Sequence, residues 1–338
     1  MVFTAPINRV TALFGDDSVK KFRYWLEWFL VSRFAWLVPM IPLAVLRILA
    51  DFAGTAFYLV ERRSRAVALA NLEAVFGDEM SKERRCQVAR KSLQVFARTF
   101  LELFWTPRLN RKNVEKFVSF ENPDIFRALL ATKQESPTIG ITPHFGNFEF
   151  GSALFAFRDY DGYILTQKFK NDRLTPIFQK IRERSGHRVV TQERSMLRFI
   201  KAIRKGSPVG ILNDLTLKMN DPGVIISSFG LQMRTTMIHA LLHDRTGARL
   251  FPFITLARLG GGYSVRAFDP LQFPPGTSYR KIVQTCWDGF EPIIRQHPEQ
   301  WLWVYKHWRY LPASIDRPYP FYANRSERFD RELENQGR

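Results

Sequence analysis

The sequence predicts an α/β fold with a mixed, mostly parallel central sheet flanked by helices. Beyond Pro137, short apolar segments alternate with amphipathic ones, which is typical of strands covered by helices. The supply of core residues is ample, because 46% of the 338 residues are hydrophobic and 30 are phenylalanine. We predict strands at 138–142, 163–165, 188–190, 209–212, 224–226, 250–254, 263–267 and 301–305.

Helices are predicted where apolar residues recur about every 3.6 positions. Residues 62–105 follow this spacing, and Ser81 is a suitable N-cap within them. Later helices are predicted at 147–158, 174–185, 194–205, 233–246 and 278–295. No internal repeat or long linker interrupts residues 62–324, so we predict one domain there. The composition then turns polar, and residues 325–338 are predicted to form a loose tail.

Residues 1–61 are predicted to be a membrane-associated helical segment. Two uncharged runs, 34–46 and 52–60, are flanked by aromatic residues of the kind found at membrane interfaces. Neither run reaches the roughly 20 residues of a span, and charged residues interrupt them. A helix embedded in one leaflet, or a tilted anchor, therefore fits better than a clean span. A soluble helical hairpin packed on the domain is the alternative. Residues 1–17 lack the pattern of a cleavable secretory signal.

The net charge of +18 favours an anionic partner. A phosphorylated lipid, an acidic carrier protein or the anionic face of a membrane would fit. Nucleic acid is not expected, because the basic residues are spread along helices and no RNA-binding or zinc-finger signature is present. The two cysteines, Cys86 and Cys286, form no disulfide framework, which fits a reducing compartment.

The segment from His144 to Glu149 is the most informative about chemistry. It places an imidazole and a carboxylate five positions apart, between the apolar strand 138–142 and a helix with an apolar face. Asn147 is a suitable N-cap for that helix, and Gly146 allows a sharp turn before it. Because the turn breaks the helical phase, we expect Glu149 to fold back onto the His144 ring. An imidazole held by a carboxylate can act as a general base.

A second copy of this spacing, from His239 to Asp244, serves as a control. It lies within one predicted helix, where five steps turn the side chains roughly 140° apart, so we interpret it as structural. His239 and His243 could ligate a metal, but no third ligand lies nearby and no metal site is expected. Nucleophile-elbow, phosphate-loop and dinucleotide motifs are absent from the sequence.

Three further positions are candidates. Asp214 follows the buried strand 209–212, and strand ends are where α/β folds bind ligands. The alternative for Asp214 is a turn residue that binds its own backbone. Arg182 and Arg184 lie on a basic helix end, where solvated surface charge is the alternative to substrate binding. Thr235 and Thr236 most simply cap the helix that follows them.

Taken together, these segments resemble the bacterial late acyltransferases of lipid A biosynthesis, the lauroyl/myristoyl transferase family. That family falls within the His-x4-Glu, lysophospholipid-acyltransferase-like superfamily. The resemblance covers roughly residues 40–310, and its blocks follow the family's order: 71–76, 143–149, 204–214, 229–230 with Thr235 or Thr236, and 298–303. Two departures bear on the acceptor rather than on the reaction. Leu215 and Thr216 replace a second acidic residue, and the closing motif is rearranged in 303–309.

The resemblance implies a glycerolipid-acyltransferase-like fold and a membrane-bound enzyme at the cytoplasmic face of the inner membrane. Such an enzyme moves a fatty acyl chain from acyl carrier protein, or from coenzyme A, to a hydroxyl of a lipid A precursor. The thioester is a co-substrate, and no cofactor is implied. His144 would be the general base and Glu149 its orienter. An arginine near Arg182 and Arg184, together with Asp214, would support them.

Direct transfer is expected, because the motif contains no nucleophilic serine or cysteine. The thioester oxyanion needs donors, and the backbone N–H groups of Gly146 and Asn147, or a nearby arginine, are the candidates. Two alternatives stay open at this point. The acceptor could be another membrane lipid, such as a lysophospholipid, an aminolipid or a phosphatidylinositol mannoside. The chain could also be a non-catalytic basic protein that binds membranes or nucleic acid.

Overall fold

The computed structural model describes residues 16–192 and 195–337. Residues 1–15 of the predicted membrane-associated segment, position 194 of a predicted helix and position 338 of the tail lie outside the described residues. The helices are Asp16–Leu37 (α1), Leu43–Val60 (α2), Arg62–Phe76 (α3), Lys82–Trp105 (α4), Val114–Phe117 (α5), Pro123–Ala131 (α6), Phe148–Phe157 (α7), Thr175–Glu183 (α8), Ser195–Arg204 (α9), Ile238–Thr246 (α10), Tyr279–Asp288 (α11), Glu291–Gln296 (α12) and Glu327–Gly337 (α13). The strands are Val118–Phe120 (β1), Thr138–Thr142 (β2), Tyr163–Thr166 (β3), Arg188–Thr191 (β4), Val209–Leu212 (β5), Gly223–Ser228 (β6), Leu231–Thr236 (β7), Arg249–Ala257 (β8), Tyr263–Ala267 (β9), Tyr310–Leu311 (β10) and Asn324–Arg325 (β11).

The central sheet confirms the predicted fold class. It has seven strands in the order β1-β9-β8-β2-β5-β3-β4. Its neighbours pair in parallel except for β8 and β9, which are antiparallel. All five residues of β2 are buried between β8 and β5, which explains why that segment is continuously apolar rather than alternating. The carboxyl ends of β2 and β5 therefore lie side by side.

Two predicted elements are wrong. Residues 301–305 are not a strand: Trp301 and Trp303 are buried, but the chain turns between them, with the N–H of Trp303 donating to the carbonyl of Trp301 at 3.0 Å. Aromatic richness there reflects core packing. The helix predicted from 233 begins only at Ile238, because β6 and β7 form a hairpin that turns at Phe229 and Gly230, both with positive φ.

The hairpin also separates the two threonines. Thr235 lies in β7, and its hydroxyl donates to the carbonyl of Asn213 at 2.7 Å, so it is not a cap. The hydroxyl of Thr236 accepts from the N–H of Ile238 at 3.3 Å, but Thr236 lies one residue before the N-cap, which is Met237.

The loose tail is a third prediction that the structure contradicts. Residues of this segment form α13, which is docked on the domain. Phe329 is 0% exposed and stacks on Tyr310, and Asp330 accepts from the N–H of Ala313 at 2.8 Å. The polar composition hides this docking, because one buried ring and a few paired acids are enough to hold a short helix.

The N-terminal helix α2 packs antiparallel along α4. Gly54 makes the approach possible, since a Cβ at that position would lie 2.5 Å from the Cα of Gln94. Among the described residues, α2 is also the one helix long and apolar enough to cross a membrane by length and composition.

We expect Gly54→Val to force α2 away from α4. Overpacking of this kind costs about 1–3 kcal/mol. The variant should unfold at a lower temperature than wild type, measured by circular dichroism in detergent. Ala53→Val, on the exposed side of the same helix, is the matched control and should unfold close to wild type. Equal stability of the two variants would contradict the observed packing.

Candidate active site

Parallel register brings His144 next to Asp214. Thr142 of β2 pairs with Leu212 of β5, and the two polar residues each follow two positions later. Nδ1 of His144 lies 2.6 Å from Oδ1 of Asp214, and the backbone N–H of His144 donates to Oδ2 at 2.8 Å. A carboxylate only accepts hydrogen bonds, so Nδ1 carries the proton. Nε2 is then the nitrogen that can accept a proton from a substrate.

The expectation that Glu149 holds the His144 ring is therefore wrong. Glu149 lies in the first turn of α7 and pairs with Arg182 of α8 instead. Nη2 of Arg182 donates to Oε1 at 2.6 Å, and Nε lies 3.1 Å from Oε2, which makes the pair bidentate. The spacing places His144 and Glu149 near one cavity, but the Glu149 carboxylate binds Arg182 rather than His144.

Asp214 is fully buried, and its charge is satisfied by donors. Besides His144, the indole N–H of Trp301 donates to Oδ2 at 2.9 Å. Nδ1 of His307 faces the backbone carbonyl of Asp214 at 3.2 Å, and its ring stacks on Trp301 with centroids 4.1 Å apart. Burial alone would raise the pKa of Asp214, but His144, His307 and Trp301 outweigh burial and hold that pKa below its usual range. The alternative of a turn aspartate that binds its own backbone does not apply.

Burial lowers the pKa of His307 despite the neighbouring carboxylate, and its Nε2 faces the backbone carbonyl of Leu302 at 2.9 Å. Trp301 and His307 are the functional neighbours that the sequence analysis did not assign. Trp301 belongs to the predicted strand 301–305 and to the resembling block 298–303, neither of which indicates a contact with Asp214. Neither has a local signal, because both reach Asp214 from a loop about ninety residues later.

Gly146 and Asn147 occupy the turn as predicted, and the protein engages the N–H of Gly146 and the side chain of Asn147. A positive φ of 53° at Gly146 fits the sharp turn, and a Cβ there would lie 1.9 Å from the carbonyl oxygen of Thr255. Its N–H donates to the carbonyl of Gln300 at 2.8 Å and is not free for an oxyanion. Asn147 is 0% exposed and caps α7 by accepting from the N–H of Phe150 at 3.0 Å. The prediction that both contact substrate is not supported by these contacts.

A cavity of about 500 Å³ begins at the His144 ring. Its wall is largely aromatic and aliphatic, including Phe96, Phe100 and Phe178, and the Glu149–Arg182 pair lies in the same wall. A cavity of this size and lining suits a long apolar chain with a polar reacting end. Arg184 does not line this cavity, so Arg182 is the arginine that the structure places there.

Ser152 and His187 form a serine–histidine contact in the same region, and their geometry argues against a nucleophilic pair. Nδ1 of His187 accepts from the N–H of Gly162 at 3.2 Å, so Nε2 carries the proton and donates to Ser152, whose hydroxyl oxygen lies 3.0 Å away. Burial lowers the pKa of His187, which keeps the ring neutral. A ring that donates to the hydroxyl cannot remove its proton, so no activated serine arises here.

The control pattern behaves as expected. His239 is fully buried, and burial lowers its pKa to about 4. Asp244 instead accepts from the hydroxyl of Tyr279 at 3.0 Å. Within the described ranges, no group of three or more His, Cys, Asp or Glu residues is arranged to hold a metal.

Comparison with known proteins places the chain in a recognised family. The family model of the bacterial lipid A biosynthesis acyltransferases matches residues 15–310. The lipid A biosynthesis lauroyltransferase of Escherichia coli K12 is 24% identical over 314 residues, covering 88% of this chain and 95% of that protein. Lipid A biosynthesis acyltransferase 2 of Shigella flexneri is 21% identical over 306 residues, covering 88% and 94%. The crystal structure of 1-acyl-sn-glycerophosphate acyltransferase from Thermotoga maritima aligns at 13% identity over 69% of this chain and 97% of its own, with a TM-score of 0.34.

The Glu149–Arg182 pair gives a stability prediction. Glu149→Gln or Arg182→Met leaves one charge buried without its partner, which should cost about 3 kcal/mol. The double variant should cost clearly less than the sum, because no lone charge remains. Urea unfolding of the three variants in detergent measures this coupling. Strictly additive costs would show that the pair is not the interaction described here.

Proposed function

The chain belongs to the bacterial lipid A biosynthesis acyltransferase family and is a lipid acyltransferase. We propose that it moves a fatty acyl chain from a thioester of acyl carrier protein, or of coenzyme A, to a hydroxyl of a lipid A precursor. The observation that carries this proposal is the His144–Asp214 pair at the start of a large, mostly apolar cavity. Such a pair is suited to activating a hydroxyl beside a bound hydrocarbon chain.

His144 acts as the general base in this proposal. Its Nε2 takes the proton of the acceptor hydroxyl while that oxygen attacks the thioester carbonyl carbon. The C–O bond forms, the C–S bond breaks, and the thiolate leaves with the proton from the imidazolium. Asp214 fixes the ring through Nδ1–H and stabilises the imidazolium, the role of the acid in a serine-protease triad. Transfer is direct in this proposal, since the Nε2–H of His187 donates hydrogen bonds to Ser152 and cannot take the proton of its hydroxyl.

Arg182 is a charged donor in the cavity wall, which also includes Lys168, and is proposed to contact the thioester oxygen or an anionic part of a substrate. Glu149 acts through Arg182 and is thus a positioning residue. Two parallel N–H···O contacts hold the guanidinium in one orientation, which is what a preorganised donor requires.

The basic surface fits both proposed substrates. A net charge of +18 attracts a phosphorylated lipid and an acidic carrier protein. Carrier and coenzyme A thioesters are cytoplasmic, so we place the reaction at the cytoplasmic face of the inner membrane.

Variants of the two acids distinguish the proposed mechanism from the spacing-based one. We expect His144→Ala and Asp214→Asn each to lower kcat by about 10³-fold or more, because one removes the base and the other its orienter. Glu149→Gln should lose less, about 10-fold, with much of the effect in KM. Asp244→Asn, from the control pattern, should match wild type. Purified proteins are assayed with radiolabelled acyl carrier protein thioesters and a lipid A precursor.

The opposite ranking, with Glu149→Gln inactive and Asp214→Asn active, would return the orienter role to Glu149. Ser152→Ala should keep most activity, and intact-mass spectra of wild type with donor alone should show no acylated protein. An acyl-enzyme in those spectra would overturn direct transfer.

The acceptor is tested by mass spectrometry of intact lipids from strains with and without the gene. Loss of one secondary acyl chain from lipid A is the expected result. A change confined to lysophospholipids, aminolipids or phosphatidylinositol mannosides would assign another lipid acceptor. A wild-type protein that is inert with all donors would contradict the transfer proposal.

A further inference from the structure

Helix α2 is held along its length by polar contacts to α4. Nε of Arg47 donates to Oε1 of Glu102 at 2.6 Å, and four residues later Asp51 pairs with Arg98. Another four residues on, the hydroxyl of Thr55 accepts from Nε2 of Gln94 at 2.9 Å. The contacts step in opposite directions along the two helices. Both charges that interrupt the apolar sequence of α2 therefore face the protein.

The opposite face of α2 is apolar, and no part of the chain described here, residues 16–192 and 195–337, covers it. Exposed side chains recur at helical spacing from one end to the other: Val45 (46% exposed), Ile48 (69%), Leu49 (48%), Phe52 (74%), Leu59 (61%) and Val60 (80%). We call these six residues the α2 stripe. Monomeric soluble proteins rarely expose an apolar surface this continuous.

The tip of the β8–β9 hairpin lies next to this helix. Leu259 is 105% exposed, so the protein leaves its side chain entirely uncovered. A Cβ at Gly261 of the same tip would lie 3.7 Å from Nη1 of Arg47, and the Arg47 guanidinium lies over the ring of Tyr263, which starts β9. One exposed leucine is ordinary, but this one lies on a hairpin tip that is close to a side chain of α2.

Exposed cations flank α2 along the chain. They precede it on α1, follow it directly and occur at the hairpin tip: Lys20, Lys21, Arg33, Arg62, Arg63 and Arg258. An apolar helix face with basic residues before and after it in the chain suits the acyl region and headgroups of an anionic leaflet.

We propose that α2 lies in the plane of an anionic bilayer leaflet, with the α2 stripe and Leu259 inserted side by side, and does not cross the membrane. A crossing α2 would have to leave α4 or take α4 with it. If α2 left α4, Arg47 and Asp51 would be exposed to lipid, and Glu102 would stay buried in the core without Arg47. Taking α4 would draw Arg90, Lys91 and Arg98 into hydrocarbon, where charges are costly.

The in-plane arrangement of α2 is inferred from packing and exposure alone, and it also suits the proposed acyl transfer. The amide of Asn171, beside the cavity-lining Phe169, donates to the backbone carbonyl of Tyr24 in α1 at 2.8 Å. Helix α1 is thus tied to the cavity rim, and it leads directly into α2. A domain held flat against one leaflet keeps that rim at the lipid surface.

Depth measurements separate the two orientations of α2. Val45, Phe52 and Leu59 share one face, and residues 45 and 59 are about 21 Å apart along the axis. Each is replaced by cysteine in the full-length Cys86→Ala protein and labelled with an environment-sensitive fluorophore; Cys286 is 1% exposed and shielded. Vesicles contain phosphatidylcholine, phosphatidylglycerol and lipids with nitroxides at two depths. We expect blue-shifted emission and equal depth at the three positions. Label depths that change from one membrane interface to the other between residues 45 and 59, or emission without a blue shift, would overturn the proposal.

The hairpin tip has an internal control. A label at Leu259→Cys should reach the depth of the α2 labels, whereas one at Asp269→Cys, beyond the other end of the hairpin, should stay in water. Leu259→Asp should weaken binding to the same vesicles about tenfold, with an unchanged circular dichroism spectrum, and Asp269→Asn should not. Unshifted emission at Leu259→Cys would remove the hairpin from the membrane surface. Activity assays with soluble donor report separately on the transfer reaction.

Discussion

The parallel register of β2 and β5 is the constraint on which the site depends. It places His144 and Asp214 two residues beyond the paired ends of their strands, at the same edge of the sheet. The Asp214 carboxylate is buried there and needs hydrogen-bond donors. The donors that satisfy it are the N–H and ring of His144 and the indole of Trp301. A buried carboxylate without them would be costly. The hydrogen bonds that stabilise the acid are therefore the ones that orient the base.

Glu102 of α4 is a second buried acid whose charge is satisfied by several donors. It is 0% exposed and accepts from Arg47 of α2, from the amide of Asn147 and from the hydroxyl of Tyr263 at 2.6 Å. Asn147 in turn caps α7, directly after the His144 turn. One buried acid thus connects the N-terminal helix, the β8–β9 hairpin and the helix that begins at the site. The apolar N-terminal helix is part of the framework of the site.

Local sequence patterns predicted the helices and strands well, but they predicted poorly which side chains pair with one another. The strand 138–142, the Asn147 cap and the turn at Gly146 follow from residues close in sequence, and the structure has them. The partner of His144 does not follow from residues close in sequence, because it depends on which strand lies beside β2. Equal spacing from two parallel strand ends could have indicated Asp214. Trp301 lies on a loop without periodicity, and the α13 helix is held by one buried ring, so neither had a sequence signal.

The division of the acids between two partners has an electrostatic consequence. Glu149 is neutralised by Arg182 throughout, so its charge adds little at the His144 ring. In the proposed mechanism, Asp214 faces a neutral imidazole before transfer and gains a cationic partner only when the ring takes a proton. Its stabilisation of the imidazolium therefore grows as the proton leaves the acceptor hydroxyl, and interactions that strengthen towards the transition state are the ones that accelerate a reaction. A carboxylate already engaged with arginine could not supply this difference, which is why the acid on the neighbouring strand, and not the one five residues away, suits the base.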